Sequence, residues 1–218
     1  MMAEKHSSFS RVVNKTLKAL RRNKFDAVYV RSREEALQSI LQRLPSQATV
    51  GAGDSLTLKQ IGVFEELERR GFTLFWPFGE NVAKEERRNV ARRALLADVF
   101  LSSSNALTMD GKIVNVDASG NRVAGMIFGP KKAIIVVGVN KIVKNTEEAL
   151  ERIRKVAGPL NAKRIREERN WELLPCVKIG ECVDCNAENR ICNVTTIIEK
   201  KPRTLDMTII IVGEKLGL

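Results

Sequence analysis

The feature that most constrains this chain is residues 98–141, where apolar strand-like runs alternate with clusters of small polar residues. Residues 133–137 form a continuous apolar run, which is typical of a strand buried on both faces of a parallel sheet. Asp110-Gly111 is a hairpin signal before the returning run at 113–116, because these residue types tolerate positive φ. The stretch therefore predicts a sheet with polar clusters at its strand ends, where open α/β sheets bind small ligands.

The rest of the chain repeats this alternation of strand-like runs with helix-like patterns. It predicts an α/β fold, with a mainly parallel open sheet flanked by helices and one hairpin that departs from it. Residues 1–24 predict an amphipathic, basic N-terminal helix, residues 80–97 a charged helix, and residues 195–198 and 207–212 two closing strands. Because no Pro/Gly/Ser-rich linker divides the 218 residues, one domain spanning 1–218 is expected.

The charge balance limits the classes of partner. The formal net charge is +11, from 37 Lys+Arg against 26 Asp+Glu, which suits nucleic acid, an acidic partner or small anionic ligands. The basic pairs are scattered over helix-like patterns and only 5% of residues are aromatic, so we expect solvated helix faces rather than nucleic-acid binding. No apolar run approaches the roughly 20 residues of a membrane span, and no apolar signal core is present. We expect a cytoplasmic protein without membrane association that binds a small anionic metabolite. A homodimer is left open.

A glycine-bearing turn at residues 51–55 is the first candidate for ligand binding. Gly51 and Gly53 would let the backbone approach a ligand, and the following helix, capped by Asp54 or Ser55, would offer free N–H groups to an anion. The turn is neither a full dinucleotide fingerprint nor a P-loop. A tight, capped strand-to-helix turn without a ligand is the alternative.

The polar residues of the central stretch supply the other candidates. Asn121-Arg122 suits a carboxylate, because a guanidinium forks onto two oxygens, and the loss of Arg122 should weaken the ligand while leaving the fold intact. A surface ion pair is the alternative for Arg122, and Asp117 is either a general base or a turn former. These segments should converge with the Gly51 turn on one positively charged cleft. Catalytic residues are not identified, and whether the chain is an enzyme stays open. The candidate ligand contacts are Gly51, Gly53, Asp54, Ser55, Ser104, Asn105, Asp117, Asn121, Arg122, Lys131, Asn140 and Lys141.

All four cysteines fall in residues 176–192, in the pattern C-x5-C-x2-C-x6-C. Four thiolates can hold a zinc ion or an iron–sulfur cluster, and this spacing does not choose between the two metals. Free cysteines or a redox pair are the alternatives. No flavin or nicotinamide motif is present. The candidate metal ligands are Cys176, Cys182, Cys185 and Cys192.

Short motifs follow one another in a specific order along the chain from about Val28. They are Gly51-Ala-Gly-Asp-Ser-Leu-Thr, Ser104-Asn-Ala-Leu-Thr with Asp110-Gly111, Asn115-Val-Asp-Ala-Ser-Gly-Asn-Arg-Val-Ala, Phe128-Gly-Pro-Lys-Lys, Val137-Gly-Val-Asn-Lys-Ile-Val and Gly213-Glu-Lys-Leu-Gly-Leu. In this combination the chain resembles the LUD-domain family, the lactate-utilisation proteins, and within it the short members that carry a cysteine-bearing tail.

The resemblance implies an α/β fold similar to the NagB/RpiA/CoA-transferase group, with ligands over strand ends. It also implies an accessory or subunit of an iron–sulfur oxidoreductase system that oxidises lactate or a related organic acid together with partner proteins. A hydride acceptor would then come from a partner. The alternative is a stand-alone enzyme or sensor that binds an anionic metabolite, such as a phosphosugar or acyl-CoA, in a CoA-transferase-like cleft.

Overall fold

A computed structural model describes residues 2–218, with side chains from Ser10 onwards. Its centre is a six-stranded sheet in which every neighbouring pair of strands is parallel, flanked by helices, so the predicted fold class is confirmed. The strands in spatial order are Asp26–Val30 (β1), Asp206–Val212 (β10), Lys132–Gly138 (β7), Val99–Ser103 (β4), Val50–Ala52 (β2) and Leu74–Phe75 (β3).

A smaller, four-stranded sheet contains the predicted hairpin. Gly111 lies in its turn at a φ of +85°, the left-handed region that favours glycine. The closing run near residues 195–198 pairs antiparallel with the second hairpin strand, so it belongs to this sheet and not to the parallel one. The strands in spatial order are Ile142–Val143 (β8), Ala106–Thr108 (β5), Ile113–Asp117 (β6) and Val194–Ile198 (β9).

Nine α-helices are present in the described residues. The helix expected over residues 80–97 begins only at Arg87, after a series of turns. A 3-10 turn at Val139–Lys141 follows β7, and a π-helical turn at Ile153–Ala157 joins two helices. The helices are Met2–Arg22 (α1), Arg33–Leu41 (α2), Leu56–Ile61 (α3), Val63–Arg69 (α4), Arg87–Leu95 (α5), Asn121–Gly125 (α6), Thr146–Arg152 (α7), Gly158–Arg169 (α8) and Pro175–Ile179 (α9).

The apolar runs of the central strands fill both faces of the parallel sheet. Ile209 and Ile211 of β10 pack on one face with Leu20 of α1, while Ile210 packs on the other with Phe64 of α4. Burying a side chain of this size contributes about 1.5–3 kcal/mol. Both faces need apolar residues, so a continuous apolar run predicts such strands better than an alternating one.

The parallel order brings the carboxyl ends of the strands to a single edge of the sheet. Ala52 at the end of β2 pairs with Leu101 of β4, and Gly138 at the end of β7 pairs with Val212 at the end of β10. Residues that follow these positions are therefore neighbours in space, although they are far apart in sequence. No helix in the described part of the chain combines the length and apolar character needed to cross a bilayer.

Candidate functional site

A cavity of about 700 Å³ lies at this carboxyl edge. Residues 54–57 after β2, 103–105 at the end of β4, and 116–119 at the end of β6 line it, together with side chains from α5 and α8. The volume falls within the range of about 300–1,000 Å³ that small-molecule sites occupy. Its position agrees with the general rule that open α/β sheets bind ligands outside the carboxyl ends of their strands.

Lys141 lies at the floor of the cavity, at the end of the 3-10 turn that follows β7. Lys141 is only 4% exposed, and its Nζ donates to Thr57 Oγ1 at 2.9 Å and to Ser103 Oγ at 3.1 Å. No carboxylate of the described residues forms an ion pair with it. Burial, and then the charges of Arg152 and Arg122, lower the pKa of Lys141 to about 7. The amine is therefore close to half neutral at physiological pH.

Arg122 lines the cavity but is a structural bridge between the two sheets. It is only 8% exposed, so it is not the surface ion pair considered above. All its guanidinium nitrogens donate to protein acceptors, which leaves little capacity for the carboxylate ligand expected from the sequence. The acceptors are Asp117 Oδ1 at 3.2 Å, the Ser103 carbonyl at 3.1 Å, Asn115 Oδ1 at 2.8 Å, Asn105 Oδ1 at 3.1 Å and the Val116 carbonyl at 2.8 Å.

The two glycines of the predicted ligand turn are required by packing within the protein. A Cβ on Gly51 would lie 2.2 Å from the Ala94 carbonyl oxygen of α5, and a Cβ on Gly53 would lie 2.7 Å from the Arg122 side chain. Neither glycine lines the cavity. Ser55 caps α3, a helix of only six residues, through its own hydroxyl, and Ser55 itself lines the cavity. The alternative, a tight capped turn, describes the glycines correctly.

Asp54 joins this turn to α8. Its Oδ2 accepts from Arg164 at 2.8 Å and also from Arg169, while its Oδ1 is buried without a hydrogen-bond partner among the described residues. Burial acts to raise the pKa of Asp54, but the two arginines outweigh it and hold the pKa below its usual value. These partners lie 110 and 115 residues away in sequence, so no local pattern could have linked them.

Four of the cations that line the cavity, Lys84, Arg87, Arg88 and Arg92, come from α5 and the turns before it, and we call them the cationic wall. Arg88 and Arg92, four residues apart, share one face of α5, and Lys84 precedes the helix. Lys84, Arg88 and Arg92 form no hydrogen bond or ion pair with the described residues, and Arg87 lies 5.6 Å from the Phe78 ring. From the sequence, the Arg pairs were interpreted as solvated helix faces, and the cationic wall was missed. The spacing of Arg pairs along a helix does not show which other segments pack near it. Eight lining residues are cationic and two are acidic: Lys84, Arg87, Arg88, Arg92, Arg122, Lys141, Arg164 and Arg169 against Asp54 and Asp117.

The remaining candidates divide into two groups. Ser104, Asn105, Asp117 and Asn121 line the cavity, and Asp117 Oδ2 is buried without a hydrogen-bond partner among the described residues. Lys131 and Asn140 do not line it, and their expected convergence on the site was wrong. Lys131 precedes β7 and pairs with Asp98 at 3.0 Å, at the amino edge of the sheet, because a residue before a parallel strand lies at the end opposite to those after it. Asn140 instead accepts from the Leu216 amide at 3.0 Å.

The cysteine-rich segment, residues 176–192, adjoins the cavity, since Ile191 lines it. All four thiols are free and partly buried. Burial raises the pKa of Cys176, and the nearby Cys185, Cys182 and Cys192 raise it further, which indicates that the four thiols are neighbours. Across the described residues, no group of three His, Cys, Asp or Glu side chains is arranged to hold a metal ion. The donor set therefore suits a metal centre in number and type, without the coordination geometry.

Fold and cavity together define an α/β protein with a cavity, lined by more cations than acids, at the carboxyl edge of a parallel sheet. A family model for the LUD domain matches residues 13–212, so the chain belongs to the LUD-domain family, which is associated with lactate utilisation. A solved structure of a DUF162 family protein from Deinococcus radiodurans is similar at a TM-score of 0.56 and 16% identity, covering 94% of this chain and 98% of that one. At this identity the likeness concerns the fold alone. No protein with a curated description matches this chain.

Proposed function

We propose that this protein binds a small organic acid, of the class of lactate, as an accessory or subunit of an iron–sulfur oxidoreductase system. The observation that carries the proposal is the cationic wall, which lines the same cavity as Lys141 and includes three cations unpaired among the described residues. Unpaired cations around a partly enclosed space attract anions strongly, because the low-dielectric walls focus their field. Membership of a family associated with lactate utilisation supports the choice of an organic acid.

Two residues that line the cavity, Asp54 and Asp117, carry acceptor atoms that support a hydroxy acid over a simple carboxylate. Asp117 Oδ2 and Asp54 Oδ1 are both buried and have no donor among the described residues. Buried acceptors without a partner cost about 1–3 kcal/mol, so a ligand that supplies a donor there is favoured. A 2-hydroxy acid has a carboxylate for the cationic wall and a hydroxyl for one of these oxygens.

The cysteine-rich segment supports the link to iron–sulfur chemistry. Four thiolates are the donor set of such clusters, which transfer single electrons, although zinc would accept the same donors. Arg190 holds the backbone of the segment by donating to the carbonyl of Cys185 at 2.6 Å and of Cys192 at 3.3 Å. Ile191, the neighbour of Cys192 in sequence, lines the cavity, which supports a link between the segment and the proposed acid site. Partner proteins would then complete the electron path.

Metal analysis and visible absorbance of anaerobically purified protein test the iron–sulfur part of this proposal. We expect brown protein that contains iron and sulfide, and Cys182→Ser should lower both. Colourless protein that contains zinc would contradict the iron–sulfur role and favour a structural metal site. A metal content near zero in carefully prepared protein would exclude both the iron–sulfur role and the structural metal site.

Calorimetric titration with lactate tests the acid site. Arg88→Met with Arg92→Met should weaken binding by about tenfold or more, because each lost charge-assisted contact is worth about 1.5–3 kcal/mol. The matched control is Arg31→Met with Arg33→Met, which removes two cations that do not line the cavity. Equal affinity in both double variants would contradict the proposed site.

A larger anion is the second candidate, because a cavity of about 700 Å³ exceeds the needs of a three-carbon acid. A phosphosugar or acyl-CoA would place its phosphates on the cationic wall and its remaining groups in the unfilled volume. Competition distinguishes the two cases. Displacement of lactate by millimolar lactate analogues but not by phosphosugars or CoA esters supports the acid, and the reverse order supports a stand-alone enzyme or sensor.

A further inference from the structure

We propose that Lys141 is an amine nucleophile that forms an imine with 2-oxo acids, the oxidised counterparts of 2-hydroxy acids. The inference rests on the proposed function, because it assumes an organic acid in the cavity. It adds a covalent step and a reacting atom to a site so far described only by its charge.

Two hydroxyls hold the Lys141 amine in position. Nζ lies 2.9 Å from Thr57 Oγ1 and 3.1 Å from Ser103 Oγ, and Ser103 Oγ lies 3.1 Å from Thr57 Oγ1. A neutral amine has two N–H donors and one lone pair in a tetrahedral arrangement. With both donors engaged by the hydroxyls, the lone pair occupies a remaining direction at the floor of the cavity.

The C-terminal segment presses closely on the same amine. A Cβ on Gly217 would lie 2.7 Å from Lys141 Nζ and 2.3 Å from Thr57 Oγ1, so only glycine fits there without a shift. The contact keeps the amine away from bulk water on that side. Desolvation and fixed geometry are the conditions under which a lysine serves as a nucleophile rather than as a solvated cation.

The charges around Lys141 also favour the neutral amine. Arg122 and Arg152 are its nearby ionic groups, and both are cationic, while no carboxylate forms an ion pair with it among the described residues. Burial and these two arginines bring the pKa of Lys141 to about 7, so a large fraction of the amine carries a lone pair at neutral pH. Lysines that form Schiff bases are activated by desolvation or by a neighbouring cation, and both conditions are met here.

The covalent step balances without an oxidant or reductant. Nζ attacks the carbonyl carbon of the 2-oxo acid, and the carbonyl oxygen takes a proton as the C–N bond forms. The resulting carbinolamine loses its hydroxyl as water, and the second N–H proton leaves Nζ to give the imine. The Thr57 and Ser103 hydroxyls contact Nζ and are placed to relay these protons.

A 2-oxo acid suits this cavity better than a simple aldehyde. The cations that line the cavity attract its carboxylate, and Lys141 at the floor supplies the nucleophile for its carbonyl carbon. Such a compound is the direct product of oxidising a 2-hydroxy acid, so both would use the same carboxylate contacts.

Borohydride trapping tests the inference on the wild-type chain. Protein incubated with pyruvate is reduced with sodium borohydride, digested and mapped by mass spectrometry. We expect one adduct on the peptide that contains Lys141, with the mass of pyruvic acid less one oxygen atom. Lys84, an exposed lysine that lines the same cavity, is the internal control and should remain unmodified. Lys141→Arg should remove the adduct.

The outcomes separate this inference from the proposed function when lactate and pyruvate binding are measured by calorimetry on the same samples. Both acids binding with no adduct on Lys141 overturns the imine and leaves the acid site standing. An adduct on Lys141 without lactate binding supports the imine and contradicts the lactate assignment. Adducts distributed over Lys84 and other exposed lysines overturn the inference, as does an absence of both binding and adduct. The mapping uses wild-type protein, so it does not depend on the folding of the variant.

Discussion

The cavity floor and the cysteine-rich segment are neighbours held together by very different means. Beside the floor, Arg122 connects the end of β4 with β6 through five acceptors, and it is almost fully buried. The cysteine-rich segment has one helix of five residues, α9, and its four thiols are free. The floor is therefore stabilised by the fold itself, whereas a bound metal is the expected source of stability for the segment.

This difference changes the interpretation of charged residues at the site. Arg122 was expected to bind a ligand and to be dispensable for the fold, but its contacts show that it holds the fold together. The cations that the proposed function assigns to the ligand are instead those without partners among the described residues, such as Arg88 and Arg92 of α5. Saturation of hydrogen-bonding capacity separates a structural cation from one that is available to a ligand.

The largest expected effect is that of Arg122→Met. Its removal leaves the Asp117 carboxylate buried without its partner, so the free energy of unfolding should fall by about 3–5 kcal/mol. Urea denaturation followed by circular dichroism measures the change. The control is Arg88→Met, an exposed wall residue that should alter stability by no more than about 0.5 kcal/mol. Similar stability in the two variants would remove the contrast between structural and ligand-binding cations.

An intermediate effect is expected for Asp54→Asn, which weakens the junction of the glycine-bearing turn with α8. At neutral pH the loss of two charged partners should cost about 1.5–3 kcal/mol of unfolding free energy. The folded-state pKa of Asp54 lies below its unfolded value, so its contribution is present above the unfolded pKa and is lost as pH falls through the folded pKa. The difference between wild type and variant should therefore be constant near neutrality and shrink below about pH 4.

Urea denaturation at a series of pH values checks this prediction, with Asp206→Asn as the control. Asp206 is an exposed carboxylate at the amino edge of the sheet, and its pair with Lys132 should contribute less than about 1 kcal/mol. A difference between wild type and Asp54→Asn that persists unchanged to pH 2 would show that the ion pairs with α8 do not carry the effect.

The smallest effect on the metal-free protein is expected from Cys182→Ser. Cys182 is only partly buried, and serine is close to it in size, so the unfolding free energy should change by no more than about 0.5 kcal/mol. After anaerobic reconstitution with iron and sulfide, the wild type should gain stability and the variant should not. Equal gains in both proteins would show that Cys182 is not a ligand, and a large loss in the metal-free variant would show that the thiol has a packing role.

The strands that build the main sheet were predictable from local composition. The apolar run within β7 and the polar residues after β4 indicated a buried parallel strand and a strand-end site, because burial on both faces requires such a pattern. The hairpin turn at Asp110-Gly111 was also predictable from neighbouring residues, because it depends on the positive φ that Gly111 adopts. The LUD-domain family was recognisable for the same reason, as its motifs are short and ordered along the chain.

The tertiary structure decided which polar residues meet. Lys131 and Lys141 flank the same strand, β7, yet only Lys141 lies at the cavity, because a parallel strand sends its two ends to opposite edges of the sheet. The partners of Asp54 on α8 and the cationic wall on α5 come from distant segments whose approach depends on helix packing. Local sequence determines the direction of a strand and the identity of its side chains. The Lys141 amine contacts two hydroxyls and no carboxylate among the described residues. Its partners Thr57 and Ser103 lie 84 and 38 residues away in sequence, so these contacts exist only once the chain has folded.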